Sequence, residues 1–250
     1  MKRYFLFPLL AFVLSAGAAS ALPLKIISAP STDVQPYGTF HLGIENDTTM
    51  FAEKGVGGHS NPTDFGLLAG IANLGPFQVD AGLDIREQTD KPFSFNAKVA
   101  TAENALGKWG PVLAFGAYDV GTEKGVNDFD VFYAEVSKTF GFIGRGTAGY
   151  YVGNAAMMKS ATGETQNNGL ILAFDRRMTE INEKLWLGVD YMGGKSLYGA
   201  VSFGLGWSFS EKASLVVGYV RYNDVAIATP TGASSGAGAN VVTWQAYFDF

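Results

Sequence analysis

Apolar and polar residues alternate with a period of two along most of the chain, up to its final residue. In the last stretch Val242, Trp244, Ala246, Phe248 and Phe250 alternate with Thr243, Gln245, Tyr247 and Asp249. That is the period of a β-strand with one apolar and one polar face. The pattern divides the chain into twelve strand-like segments at 37–46, 64–73, 77–87, 92–101, 111–120, 129–140, 145–154, 169–178, 184–193, 197–209, 213–224 and 240–250. Each is close to the roughly 10 residues of a membrane-crossing strand. Nothing between them has helical period or length.

Face assignments follow the alternation. Phe77, Val79, Ala81, Leu83 and Ile85 oppose Gln78, Asp80, Gly82, Asp84 and Arg86. Phe93, Phe95, Ala97 and Val99 oppose Ser94, Asn96 and Lys98, and Val201, Phe203, Leu205, Trp207 and Phe209 oppose Ser202, Gly204, Gly206 and Ser208. The segment 112–120 carries apolar residues on both faces. Connections alternate in length: the long DTTMFAEKGVGGHSNPT is followed by LGP, GTEKGVND by GFIG, and AAMMKSATGETQNN by TEINE. Barrels of the outer membrane show this asymmetry, with short periplasmic turns and longer outer loops. The expected architecture is all-β: an antiparallel transmembrane barrel of about 12 strands over 37–250.

Composition sharpens this picture. Charged residues make up 16 % of the chain, below the ~25 % usual in soluble domains. There are 32 glycines and no cysteine, which excludes a disulfide framework. The opening MKRYFLFPLLAFVLSAGAASA has a basic start, a short apolar run and an A-x-A site at Ala19-Ser20-Ala21. It reads as a signal peptide over 1–21, cleaved after Ala21, since its apolar run is shorter than the ~20 residues of a spanning helix. Residues 22–36 contain Pro23, Pro30 and Pro36 and read as an irregular periplasmic lead. Loss of Lys2 and Arg3 takes 18 basic residues to 16 against 23 acidic ones, a net charge near −7. Such a chain is a poor nucleic-acid binder. Trp109, Trp186, Trp207 and Phe140 fall near one end of the expected strands, as interfacial aromatics do.

The ending VVTWQAYFDF resembles the C-terminal assembly signal of Gram-negative outer-membrane β-barrel proteins, carried here by Val242, Trp244, Ala246, Phe248 and Phe250. The resemblance implies residence in the outer membrane among lipid and lipopolysaccharide. It also implies recognition of the last strand by the barrel assembly machinery through strand addition, and closure of that strand on the first.

Candidate chemistry is sparse. His41 lies in phase with Glu45, an arrangement that can orient a base. His59 sits beside Ser60 in a Gly-rich loop. GVNDFD and IEND carry paired acids without the spacing of a calcium loop. No catalytic set, metal site or cofactor is indicated. The informative residues are those expected to point into the lumen: His41, Glu45, Asp80, Asp84, Arg86, Lys98, Tyr133, Glu135, Asp175, Arg177, Asp190, Arg221 and Asp249. Both signs occur. The first expectation is a passive channel for small hydrophilic solutes, its selectivity set by such charges. The second is a plugged barrel that serves as a structural or assembly partner in an envelope or export complex. The third is a lipid-modifying enzyme, which needs a hydroxyl within hydrogen-bond reach of His41.

Overall fold

The computed structural model describes residues 24–49, 63–86, 90–224, 226–227 and 240–250. Residues 1–21, His59 and Ser60 lie outside them. Twelve antiparallel strands follow in chain order: β1 (Phe40–Thr49), β2 (Asp64–Leu74), β3 (Phe77–Arg86), β4 (Phe93–Thr101), β5 (Val112–Gly121), β6 (Val131–Thr139), β7 (Arg145–Val152), β8 (Asn168–Arg177), β9 (Leu185–Met192), β10 (Ala200–Ser210), β11 (Ala213–Tyr222) and β12 (Asn240–Asp249). Each pairs with its chain neighbour, and β12 returns to β1, so the sheet closes. Each expected segment corresponds to one of these strands.

The sequence explains where the strands stop. Proline has no N–H to give to a ladder, and no strand contains one. Pro36, Pro92 and Pro111 stand before β1, β4 and β5, and Pro76 lies in the β2–β3 turn, beside Gly75 in the left-handed region (φ 67°). At the seam, Phe40 and Phe250 exchange two backbone hydrogen bonds of 2.8 and 3.0 Å, and their rings stack at 5.8 Å. This end of the barrel also carries the turns after β2, β4, β6, β8 and β10 and is called the turn end. The opposite end is the loop end.

Alternation sorts the wall. Phe95, Phe115, Phe132, Leu170, Phe203, Leu205, Trp244 and Phe248 are exposed on the outside, while their neighbours Ser94, Ala114, Val131, Ser202, Gln245 and Tyr247 are buried inside. A continuous apolar belt around a sheet without edges is the arrangement in which strands cross a bilayer. Val242, Trp244, Ala246, Phe248 and Phe250 share this outer face. Trp109, Phe140 and Trp207 lie exposed at the turn end, as expected. Trp186 is a correction: it shares the inner phase of Gly188 and Asp190, is buried, and donates from Nε1 to Asp175 Oδ2 at 3.2 Å. Arg221 is another. It is exposed, in phase with Val217 and Tyr219, because β11 turns Val216, Val220 and Tyr222 inward instead.

The largest correction concerns the lead. Residues 24–36 do not hang in the periplasm; they lie inside the barrel, with Ile26, Ile27, Ala29, Ser31, Thr32 and Gln35 all buried. Their apolar side chains explain the apolar patches of the inner wall. Ile26 and Ile27 pack with Trp186, Ala200, Val216, Val220 and Val241. Ala29 joins Val131, Tyr133, Tyr151, Ile171 and Met192. Val34 covers Ala100, Val112 and Ala114, which accounts for the two-faced apolar pattern of β5.

The lead reaches the wall at Gly70, where β2 bulges. A Cβ there would stand 2.1 Å from the Pro36 carbonyl oxygen, a collision with backbone that no rotamer relieves. At Gly146 an added Cβ would meet only the Phe140 ring, at an ordinary 3.6 Å. Gly70→Ala is therefore expected to destabilise the barrel by about 1–3 kcal/mol, as overpacking does. Gly146→Ala should change stability by no more than ~0.5 kcal/mol. The temperature at which the folded band is lost in semi-native electrophoresis reads both; equal losses would show that the lead does not press on β2.

Candidate functional site

An irregular segment inside a barrel must find partners for its own backbone polar groups. The wall supplies them. Asp190 Oδ2 accepts from the backbone N–H groups of Ile27, Ser28 and Ala29 at 2.7, 2.8 and 3.2 Å. Gln245 Nε2 donates to the Ile27 carbonyl at 2.9 Å, and the Gln35 N–H donates to Asp80 Oδ2 at 3.0 Å. The Lys98 ammonium donates to the carbonyls of Leu24 (3.3 Å), Ser31 (3.0 Å) and Asp33. Hydroxyl pairs pin the segment on two further strands: Ser28 with Ser202 at 2.8 Å, and Thr32 with Ser137 at 2.7 Å.

Ion pairs anchor both ends of the lead. Arg145 holds Asp33 through two nitrogens at 2.5 and 2.7 Å, and Asp175 at 2.8 Å. Lys25 pairs with Glu45 on β1, whose other oxygen accepts from the Tyr247 hydroxyl at 2.7 Å. The grip thus runs round the wall, on β1, β3, β4, β6, β7, β9, β10 and β12.

Four wall carboxylates, Asp64, Asp80, Glu135 and Asp190, keep at least one oxygen that accepts no hydrogen bond from the described residues. Asp80 is 0 % exposed and its Oδ1 accepts no hydrogen bond from the described residues. Glu135 is 4 % exposed, and neither of its oxygens accepts one. Asp80 faces Lys98 in register across β3 and β4, yet the Lys98 ammonium hydrogen-bonds to the lead.

Towards the loop end the lumen opens into a cavity of about 630 Å³. Lys25, Ile27 and Ser28 of the lead line its inner part; Asp47, Asp64, Asp84, Arg86 and Asp119 line its sides. Arg86 donates to Asp64 (3.2 Å) and to Asp119, and Asn96 donates to Asp84 at 2.8 Å. Asp119 takes a left-handed backbone (φ 53°), uncommon outside glycine and asparagine. Its other oxygen accepts from the Tyr198 hydroxyl at 2.5 Å. Burial, with the Asp119 carboxylate beside it, pushes that phenol well above its usual range, so it stays a donor. Phe129, Tyr198, Tyr118 and Tyr133 form an aromatic chain along one side, with successive rings 5.7–5.8 Å apart.

Of the residues expected in the lumen, Asp80, Lys98, Tyr133, Glu135, Asp175 and Asp190 are buried on the inner face around the lead, and Glu45, Asp84 and Arg86 lie in the cavity. Arg177 shares the inner phase at the turn end and donates to the Glu183 carbonyl at 3.0 Å. His41 is buried and its Nδ1 lies 2.7 Å from Asp249 Oδ1, while its ring packs 5.2 Å from that of Tyr247. Among the described residues no hydroxyl hydrogen-bonds to His41, so the set that a hydrolase needs is not assembled there. No acid or histidine cluster suited to a metal occurs among the described residues. The lead residues Lys25, Ile27, Ser28, Asp33 and Gln35 escaped the sequence reading. The signal available was the apolar inner phase of β5 and β11.

No family model matches the chain, and no curated protein is significantly similar to it. Among solved structures, the KdgM porin aligns with a TM-score of 0.50 at 7 % identity, over 84 % of this chain and 99 % of its own. The NanC porin aligns at 0.49 and 9 % identity, over 84 % and 98 %. The COG4313 outer membrane channel from Pseudomonas putida F1 aligns at 0.49 and 10 %, over 88 % and 98 %. At these identities the likeness is one of fold, and it rests on the first: this chain shares the closed antiparallel β-barrel fold of that structure.

Proposed function

We propose that the chain is an outer-membrane channel for small hydrophilic solutes, held closed at rest by its own lead, residues 24–36. The observation that carries this is the contrast between the two parts of the lumen. A cavity of about 630 Å³ with charged side chains on its walls opens towards the loop end and reaches down beside the lead as far as His41, Asp80 and Lys98. The rest of the bore is filled by a segment that belongs to no strand and that the wall grips through hydrogen bonds, ion pairs and small apolar contacts. Hydrogen bonds to a segment that water can also solvate contribute about 1 kcal/mol each, or about 1.5–3 kcal/mol where one partner is charged, and none of them belongs to the strand ladder, so such a segment can leave without unmaking the barrel. Its fold is that of a protein named a porin. Export rests on residues 1–21, and insertion by the assembly machinery on the outward row from Val242 to Phe250. The apolar belt then lies in lipid and the loop end faces lipopolysaccharide.

A second reading, a permanently plugged structural barrel, draws on the burial of Ile26, Ile27, Ala29 and Thr32. One experiment separates the two. The chain has no cysteine, and the Ser28 and Ser202 hydroxyls are 2.8 Å apart, close enough for a disulfide between substituted residues. In planar bilayers the wild type is expected to open in discrete steps. Oxidised Ser28→Cys/Ser202→Cys should stay silent, and reductant should restore the steps. A folded wild type and a folded, reduced variant that never conduct would establish the plugged barrel instead.

Asp190→Ala removes the acceptor for three backbone N–H groups of the lead. It should raise the ratio of open to closed time by roughly a hundredfold or more, at about 1 kcal/mol for each of the three hydrogen bonds. Asp190→Asn keeps an acceptor oxygen and should fall between that variant and the wild type. Single-channel dwell times measure both.

A further inference from the structure

We infer that the opened pore prefers cations, and that its selectivity ring is Asp80, Glu135, Asp175 and Asp190 set against Lys98 and Arg145; the inference rests on the channel reading above. The argument starts from where the charges go while the lead is in place. Lys98 donates to three carbonyls of the lead, although Asp80 faces it in register. Arg145 divides its guanidinium between Asp33 of the lead and Asp175 of the wall. The unpartnered oxygens of Asp80 and Glu135, both buried, are the counterpart of this diversion.

When the lead departs, it takes the carboxylate of Asp33 and the ammonium of Lys25 with it. Lys98 and Arg145 lose their lead partners and are left facing wall carboxylates alone. Lys98 and Arg145, with Arg177 in phase at the turn end, then face the four carboxylates Asp80, Glu135, Asp175 and Asp190 along the stretch of bore that the lead had filled. Low-dielectric walls focus the field of such an imbalance along the axis and raise the local concentration of counter-ions. Rings of carboxylates select cations in other pores for the same reason. The cavity on the path to the loop end has the same sign, with Glu45, Asp47, Asp64, Asp84 and Asp119 around Arg86 and Lys91 once Lys25 has gone. A small cation or an ammonium-bearing solute therefore meets an attractive potential from the loop end down to the ring. The aromatic row of Phe129, Tyr198, Tyr118 and Tyr133 adds faces that suit an organic cation.

The test is the reversal potential of the open steps under a KCl gradient, recorded with the full-length chain. The wild type should pass potassium in preference to chloride. Glu135→Gln and Asp80→Asn, near-isosteric changes, should each lower that preference several-fold. Lys98→Met should raise it. A reversal potential near zero or of anionic sign, or steps whose selectivity none of these variants moves, overturns the ring while leaving a channel. Absence of steps in every variant, with barrels that keep heat-modifiable mobility, removes the channel and the ring together.

Discussion

A carboxylate that accepts three consecutive backbone N–H groups sets the terms for the rest of this molecule. The lead joins no strand, so its peptide groups receive no ladder, and a buried peptide group without a partner is costly. Asp190 answers for Ile27, Ser28 and Ala29, Gln245 for the Ile27 carbonyl, and Asp80 for Gln35. The debt also runs the other way. Lys98 is buried in a wall whose nearest carboxylates it does not hydrogen-bond, and carbonyls of the lead solvate its ammonium. Each partner compensates the other's desolvation, which is why a polar wall and an irregular segment can share one lumen.

The same exchange governs the apolar inventory. A barrel in lipid turns its apolar residues outward, and an inner face of Val112, Ala114, Val216 and Val220 contradicts that rule until Val34 and Ile27 are set against it. Twelve strands leave more bore than an eight-stranded barrel, whose side chains alone fill it, and less than a sixteen-stranded porin. One extra chain thickness fits. Gly204 shows the tolerance: a Cβ there would stand 2.6 Å from Ile27 Cδ1.

The strands were legible because alternation, proline placement and turn residues all act locally and agree. The inward direction of Asp80, Lys98, Glu135, Asp175 and Asp190 follows from phase alone. The lead was not legible, since Ile26 and Ile27 in a proline-bounded segment have no period, and nothing local states that they pack against residues far along the chain. Arg221 and Trp186 failed for a related reason. Reading charge as inward and tryptophan as interfacial assumes a water-filled lumen, whereas this one contains protein, so Val220 outranks Arg221 for the interior and Trp186 finds Asp175 there.

The seam between β1 and β12 lies directly against the lead. Lys25 holds Glu45 of β1, Gln245 of β12 holds Ile27, and the Tyr247 hydroxyl bridges Glu45 and Gln245. The contacts that rivet the seam join residues 218 and 202 positions apart, the kind of pairing that a folding chain reaches last. Closing the wall and seating the lead thus draw on the same long-range contacts. A barrel whose lead is astray would lack these contacts, all of them at the one joint that links the first strand to the last.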